Sequence, residues 1–374
     1  MKAVLLTCST GQGHNAAAQA VSQALENRGV SCETLDALAF LGENASDLIT
    51  GAFVNIAVRT PRAFGFLYQA GEFISSERRK SPVYYANSLY AENLHRYLTE
   101  NEVDVAVCSH LFPAEALTYL KRKRELKART YFVSTDYACI PFLEETDMDK
   151  VFVPEASLVS QFVRRGLSQD VLDASGIPVL DKYRYATDQA AARETLELPP
   201  DIPAYLIMTG GEGCGDPMTI VRKLIERCKG MDVRAIVMTG RNAALGEALR
   251  RRFEGDPRVV TVPFTEQVSL YMDACDVLLT KPGGVSSTEA AVKGIPMIHT
   301  LPIPGCETLN AQFFAERGMS VLAPNPDSAA DNALRLGLDS QQRARMREAQ
   351  KQYMSPDAGA HIAQVICDSE PTAE

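Results

Sequence analysis

The chain has 374 residues, 46% of them hydrophobic, and a formal net charge of −9; that length is too great for one small core and suits two domains. The acidic balance excludes a general nucleic-acid binder, which needs a basic footprint, and no apolar run approaches the ~20 residues that span a bilayer. Nine cysteines stand singly with no Cys-x-x-Cys pair, which argues against a zinc ribbon or a thioredoxin-type motif.

In chain order, MKAVLLTCS is too short for a secretory signal and reads as a first buried strand, so a soluble or peripheral cytoplasmic protein is expected. KAVLLTC, SCETLDA, DVAVCSH, RTYFVST and KVFVP form a first series of strands. AYLIMTGG, VRAIVMTG, VVTVPF, DVLLTKPGG and PMIHTLP form a second. Between most of them lie segments with helical apolar spacing, such as NAAAQAVSQALENRG and DPMTIVRKLIERCKG. Short apolar strands alternating with amphipathic helices predict an α/β fold of parallel sheets covered on both faces. The polar, strandless DKYRYATDQAAARETLELPPDIP separates the two series. Two Rossmann-like domains are therefore expected, at 1–188 and 189–355, with a last helix over 356–374.

One region interrupts the alternation. Between Ser46 and Tyr90 the chain holds Phe64, Phe66, Tyr68, Phe73, Tyr84 and Tyr85, beside the basic Arg78, Arg79 and Lys80. Core helix packing accounts for such a pattern, and so does a membrane-interface segment or a greasy substrate cleft. A second basic run, KRKRELKAR from Lys121 to Arg129, reads either as a solvated helix face or as a patch for anionic lipid headgroups.

The loop TGQGHNAAA follows the first strand and opens a helix. Gly11 and Gly13, flanking Gln12, let backbone amides approach an anion. With Asp36 near the end of the next strand, the outline is that of a dinucleotide fingerprint, so NAD binding stands as a rival. His14 argues against it, because its side chain would project towards the ligand. At the tip of a glycine turn it is a candidate proton acceptor.

The second series carries ACDVLLTKPGGVSSTEAAVKGIPMI, in which Lys281 opens a Lys-Pro-Gly-Gly turn into a helix. Gly283, Gly284, Val285, Ser286 and Ser287 would offer amides and hydroxyls to phosphate oxygens at the positive end of the helix dipole. Glu289 is either a plain dipole partner or an acceptor for two ribose hydroxyls. No G-x-x-x-x-G-K-[ST] occurs, which argues against P-loop hydrolysis. MTGGEGCGD, with Gly210 and Gly211, and MTGRN, with Gly240 and Asn242, end further strands. Ligands of such sheets bind beyond the carboxyl ends of the strands, so a cleft between the two domains is expected.

These motifs together resemble the monogalactosyldiacylglycerol synthase and processive diacylglycerol glucosyltransferase family, inverting family 28 glycosyltransferases of GT-B fold. STGQGHNAAAQAV, CSHLFP, VSTDY, ASGIPV, TKPGGVSSTEAAVKGIP and PIPGCETLNAQFFAERG carry the resemblance across nearly the whole chain. It implies a UDP-sugar donor, UDP-glucose or UDP-galactose, and a diacylglycerol or glycosyl-diacylglycerol acceptor. No metal or cofactor is implied, and nucleic acid is not a partner. Gly283 to Ser287 would then grip the diphosphate and Glu289 the ribose. Phe264 and Thr265 would face the uracil, and Gly305, Cys306, Glu307 and Asn310 would lie near the hexose. Cys306 stands where family members commonly have Gln, and cysteine is a weak hydrogen-bond partner, so the resemblance does not choose between glucose and galactose.

For the transfer step the resemblance implies His14 as base, with Asp136 as orienter or alternative base and His110 also in the cleft. The Phe/Tyr-rich insertion becomes the acceptor cleft and membrane contact, beside anionic lipids, which implies a peripheral enzyme on the inner face of the cell membrane. Three rivals stand beside this reading: a hydrolysing UDP-sugar epimerase, an NAD-dependent oxidoreductase and a non-catalytic UDP-sugar sensor. Nothing in the sequence fixes the oligomeric state.

Overall fold

The computed structural model describes residues 1–8, 12–42, 80–123, 126–208 and 216–369. They form two compact units: Met1–Asp181 with Ile303–Cys306 and Ser355–Glu374, and Lys182–Pro302 with Glu307–Met354. Each unit holds one six-stranded sheet whose paired strands all run parallel.

In the first unit the strands are β1 (Lys2–Thr7), β2 (Ser31–Asp36), β3 (Val105–Cys108), β4 (Arg129–Val133), β5 (Lys150–Phe152) and β6 (Leu172–Asp173), in the order β2-β1-β3-β4-β5-β6. Val105–Cys108 are buried throughout, as are Ala3–Thr7. A strand covered on both faces needs such a continuous apolar run. Helices α1 (Gln12–Glu26), α2 (Pro82–Ser88), α3 (Ala91–Glu100) and α4 (Leu111–Arg122) belong to this unit. The chain leaves β1 for β2 on one side and returns to β3 on the other. The carboxyl ends of β1 and β3 are therefore the switch point of this sheet, where open α/β sheets bind their ligands.

The C-terminal helix Ala358–Asp368 lies in this unit. Ile362, Ala363 and Ile366 share a buried cluster with Ala18, Val21 and Leu25 of α1, and a Cβ on Gly359 would sit 3.6 Å from the Ala20 carbonyl oxygen.

The second unit contains β7 (Ala204–Met208), β8 (Arg234–Gly240), β9 (Val259–Pro263), β10 (Val277–Thr280), β11 (Met297–Thr300) and β12 (Ser320–Ala323), in the order β12-β11-β10-β7-β8-β9. Its switch point falls between β7 and β10. The main helices are α5 (Pro217–Arg227), α6 (Ala243–Arg252), α7 (Gly284–Lys293), α8 (Cys306–Glu316) and α9 (Pro326–Leu338). The ten strands read from sequence coincide with observed ones. β6 and β12 were not anticipated, the first being two residues long and the second the four residues SVLA.

The units divide at Asp181/Lys182 rather than at 188/189. The intervening residues are tied to the second unit: the Thr187 amide donates to Asp273 at 3.1 Å and the Lys293 ammonium to the Tyr185 carbonyl at 2.6 Å. Arg193 completes the attachment. Its buried guanidinium donates to the carbonyls of Ala274, Pro199, Pro200 and Ile202 and pairs with Asp276 at 2.8 Å. Arg193→Ala removes the buried guanidinium from Asp276, which keeps the Ala204 amide and Gln189, and takes a donor from the carbonyls of Pro199, Pro200 and Ile202, so a loss of about 3 kcal/mol is expected. Urea denaturation followed by a probe in the second unit measures it; a change below ~1 kcal/mol would refute the pinning role.

Candidate active site

In the first unit the loops after β3 and β4 converge on His14, in the first turn of the helix α1 that follows the neighbouring strand β1. His14 Nδ1 lies 2.7 Å from the Ser109 carbonyl oxygen and 3.2 Å from Thr135 Oγ1. A carbonyl only accepts, so Nδ1 carries the proton and Nε2 carries the lone pair. Burial lowers the pKa of His14 below its ordinary 6.5, and the Asp136 carboxylate and the Ser109 bond act in the opposite direction. The imidazole is thus neutral at pH 7, as a base must be.

His110 behaves differently. It is the N-cap of α4, and its Nδ1 accepts from the Phe112 amide at 3.2 Å. Its proton therefore sits on Nε2, so the accepting nitrogen belongs to the helix cap. Burial, and secondarily His14, hold its pKa well below 6.5. Its ring packs edge-on to His14, with centroids 4.6 Å apart at 82°. The Nδ1 lone pair of His110, expected in the cleft, is thus engaged by the helix cap, and its ring packs against His14. Asp36, the carboxylate of the rival dinucleotide fingerprint, is also a cap: its Oδ1 accepts from the Leu38 amide at 2.9 Å.

Gln12 and Gly13 open α1, while Gly11 lies outside the described residues. So do Phe64, Phe66, Tyr68, Phe73, Arg78, Arg79, Gly210 and Gly211. Of the remaining aromatic-basic group, Tyr84 is 5% exposed and has the Lys80 and Arg122 cations 5.3 and 5.8 Å from its ring centroid. The Lys80 ammonium donates inward to the Glu145 carbonyl at 2.6 Å. These two residues, expected as acceptor and membrane contacts, instead anchor the start of α2 to the core. Tyr85 of α2 and Leu89, the residue that caps its C-terminus, are large apolar side chains left 61% and 75% exposed. The second basic run is largely paired: Lys121 with Asp149 at 2.6 Å and Lys123 with Glu92 at 3.6 Å, while Arg129 donates to the Ser369 carbonyl. The solvated-face reading of that run fits these pairings.

In the second unit, the Lys281–Gly283 turn follows β10 at the switch point and leads into α7, with Gly283 as N-cap. Helix geometry leaves the first-turn amides of Gly284, Val285 and Ser286 without intrahelical acceptors, and the helix dipole makes that end positive. Ser287 departs from expectation. Its hydroxyl is fully buried and lies 3.0 Å from His299 Nε2, with Ser320 Oγ 3.1 Å from the other ring nitrogen. Burial drives the pKa of His299 down to about 3, so this link is neutral. Sequence reading passed over His299, whose signal was a lone histidine in the otherwise apolar PMIHTLP.

Asn310 also differs from expectation. It is fully buried and donates to the Pro282 carbonyl at 3.0 Å, which fixes the turn from beneath rather than facing a sugar. Glu307 pairs with Lys281 at 2.8 Å. Cys306 opens α8 and is partly buried, and Gly305 before it has φ of 114°, a conformation suited to glycine. Asn242 spends its side-chain oxygen on the Leu245 amide as the N-cap of α6, beyond the Gly240 turn. Thr265 accepts from the Gln267 amide at 3.1 Å. Phe264, 60% exposed, leaves a ring face beneath the Arg241 guanidinium, 5.4 Å from its centroid. Glu289 is buried, and desolvation raises its pKa from 4.5 to about 8 against a smaller opposing effect of Lys182.

A family model described as Monogalactosyldiacylglycerol (MGDG) synthase matches residues 14–179. The chain is similar to the MGDG synthase family. That match contains His14, Ser109, His110, Thr135 and Asp136. A processive diacylglycerol beta-glucosyltransferase of Bacillus licheniformis is 23% identical over 373 residues, covering 98% of this chain and 95% of that protein. Among solved structures, MurG of Acinetobacter baumannii has a TM-score of 0.64 at 14% identity, covering 98% of this chain and 99% of that one. The UDP-GlcNAc 2-epimerase from Neisseria meningitidis bound to UDP-GlcNAc has a TM-score of 0.65 at 12% identity, covering 99% and 100%. The two structures share the GT-B-type fold with this chain and do not separate transfer from epimerisation.

Proposed function

We propose that the chain is an inverting glucosyltransferase that moves glucose from UDP-glucose to diacylglycerol or a glycosyl-diacylglycerol, at a membrane surface. It is a glycosyltransferase acting on a diacylglycerol lipid, as its resemblance to the MGDG synthases and the named glucosyltransferases has it. The finer reading is carried by one observation: His14 donates Nδ1–H to the Ser109 carbonyl and so keeps Nε2 basic. The name of the Bacillus licheniformis relative favours glucose over galactose.

In the transfer step the acceptor hydroxyl oxygen bonds to the anomeric carbon while the bond from that carbon to the diphosphate oxygen breaks. The hydroxyl proton passes to His14 Nε2, and the bonding electron pair leaves with UDP. The first-turn amides of α7 receive that charge with no reorganisation at the moment of reaction. The Phe264 face suits the base, Glu289 the ribose hydroxyls, and the Lys281–Glu307 pair the sugar end of the donor. Among the described residues no helix is long and apolar enough to cross a membrane. Lipid contact is assigned to an interfacial surface that includes Tyr85 and Leu89, whose large side chains are exposed.

The decisive experiment offers vesicles of phosphatidylcholine and diacylglycerol with UDP-glucose, UDP-galactose or UDP-GlcNAc, then identifies the lipid product by mass and anomeric configuration. A β-glucosyl lipid supports the proposal. Absence of glycolipid with every donor, or epimerised sugar released without diacylglycerol, refutes it. A Tyr85→Ser, Leu89→Ser double variant should bind anionic vesicles at least tenfold more weakly: tenfold is ~1.4 kcal/mol, which partial insertion of two side chains worth ~1.5–3 kcal/mol each when fully buried already supplies. Unchanged cosedimentation would remove these residues from the lipid contact.

A further inference from the structure

We propose that Thr135 is a positioning residue for the transfer step: with the Ser109 carbonyl, its hydroxyl oxygen forms a two-acceptor cradle that fixes the His14 ring. Nothing in the composition or motifs assigned Thr135 a task; its neighbour Asp136 drew the attention. The geometry assigns one. β4 lies beside β3, and β3 beside β1, so the loop after β4 brings Thr135 Oγ1 within 3.2 Å of His14 Nδ1. Ser109, from the loop after β3, holds the same nitrogen at 2.7 Å.

Only one proton arrangement satisfies both contacts. Were the Thr135 hydroxyl to donate to Nδ1, that nitrogen would hold a lone pair facing the carbonyl oxygen at 2.7 Å. With the proton on Nδ1, the carbonyl and the hydroxyl oxygen are both acceptors, and the Thr135 hydroxyl hydrogen turns elsewhere. Two acceptors on different strand-end loops determine the ring plane as well as the tautomer, where one carbonyl alone leaves the ring free to pivot. The edge-on His110 ring, itself held by the Phe112 amide, closes a further side of His14. Thr135 is buried, so water does not readily replace its hydroxyl.

The inference rests on the reading that His14 Nε2 takes the acceptor proton. Thr135 touches neither substrate nor reacting atoms. Thr135→Val keeps the side-chain shape and deletes the acceptor; Thr135→Ser keeps the acceptor. For Thr135→Val, kcat is expected to fall on the order of tenfold, less than a wrong tautomer costs because Ser109 remains. KM for UDP-glucose and the melting temperature should stay near wild type, and Thr135→Ser should recover most of kcat.

Two-bond proton–nitrogen correlation spectra of the full chain, recorded without substrate and assigned with His14→Asn, supply a readout independent of turnover. The wild-type His14 ring should show a protonated Nδ1 and a bare Nε2, and Thr135→Val should show a broadened or mixed pattern. A wild-type proton on Nε2, or Thr135→Val with undiminished kcat, overturns the cradle. Transfer retained in His14→Asn overturns the base assignment itself, and with it the catalytic purpose of Thr135.

Discussion

Replacing His14 by Asn is expected to lower kcat for glycosyl transfer by about 10²- to 10⁴-fold, the span that a positioned general base contributes. Affinity for UDP should not change, because every residue assigned to the donor's phosphates and base belongs to the second unit. That pairing of outcomes separates a lost base from a lost fold or a lost donor site. The pH profile adds a second test. Burial lowers the His14 pKa below 6.5, so the acid limb of kcat should have its midpoint below 6.5 and activity should persist where an ordinary histidine would already be protonated.

Asp136 provides the contrast. Its carboxylate raises the His14 pKa, so Asp136→Asn should move the acid limb to lower pH and reduce kcat less than the His14 change does. A larger loss from Asp136→Asn than from His14→Asn would make the carboxylate the base. If neither variant loses more than about tenfold, acid–base chemistry at this locus is refuted.

Much of this arrangement was legible in the order of residues. Two buried parallel sheets follow from runs such as KAVLLTC and AYLIMTGG, because a strand covered on both faces has to be apolar along its whole length. The Lys281–Gly283 turn and the place of His14 in a first helical turn were equally readable, since strand, turn and helix start are local. What failed was the direction in which polar side chains spend their hydrogen bonds. Ser287 and Ser286 are adjacent hydroxyls in one helix, yet only Ser287 meets His299, because β11 passes beneath that side of α7. Asn310 was expected at a sugar and instead meets the Pro282 carbonyl, a partner 28 residues away.

The same limit applies to Tyr84 and Tyr85. Helix geometry turns one inward beside two cations and the other outward, and composition counts both as aromatic. Thr135 and Ser109 escaped notice for a related reason. Their work depends on the strand order β1-β3-β4, which joins three loops far apart in the chain. Histidine at the glycine loop announced itself; the atoms that set its tautomer did not.

Glu289 carries the second large effect, and its sign is fixed by linkage. In the folded chain its pKa is raised from 4.5 to about 8 by burial. Below pH 4.5 both folded and unfolded states are protonated there, and the group imposes no penalty. Between 4.5 and 8 the unfolded state ionises first, so folding stability falls as pH rises, by up to ~1.4 kcal/mol per pH unit and about 5 kcal/mol in all. Glu289→Gln ionises in neither state. Its melting temperature should therefore exceed that of wild type by a margin that is small at pH 5 and grows to a plateau above pH 8. Donor binding should show the opposite preference. Two ribose hydroxyls need an ionised acceptor, so wild-type affinity for UDP-glucose should rise with pH towards 8, while the weaker binding of Glu289→Gln stays flat. UDP-glucose is the right probe, because its diphosphate, esterified at both ends, does not titrate in this range. Calorimetric titrations at pH 6, 7 and 8 on both proteins make the comparison, and parallel slopes would remove Glu289 from the ribose site. If the ribose contact is right, a carboxylate that costs the empty protein stability at neutral pH is retained because the donor stabilises its ionised form.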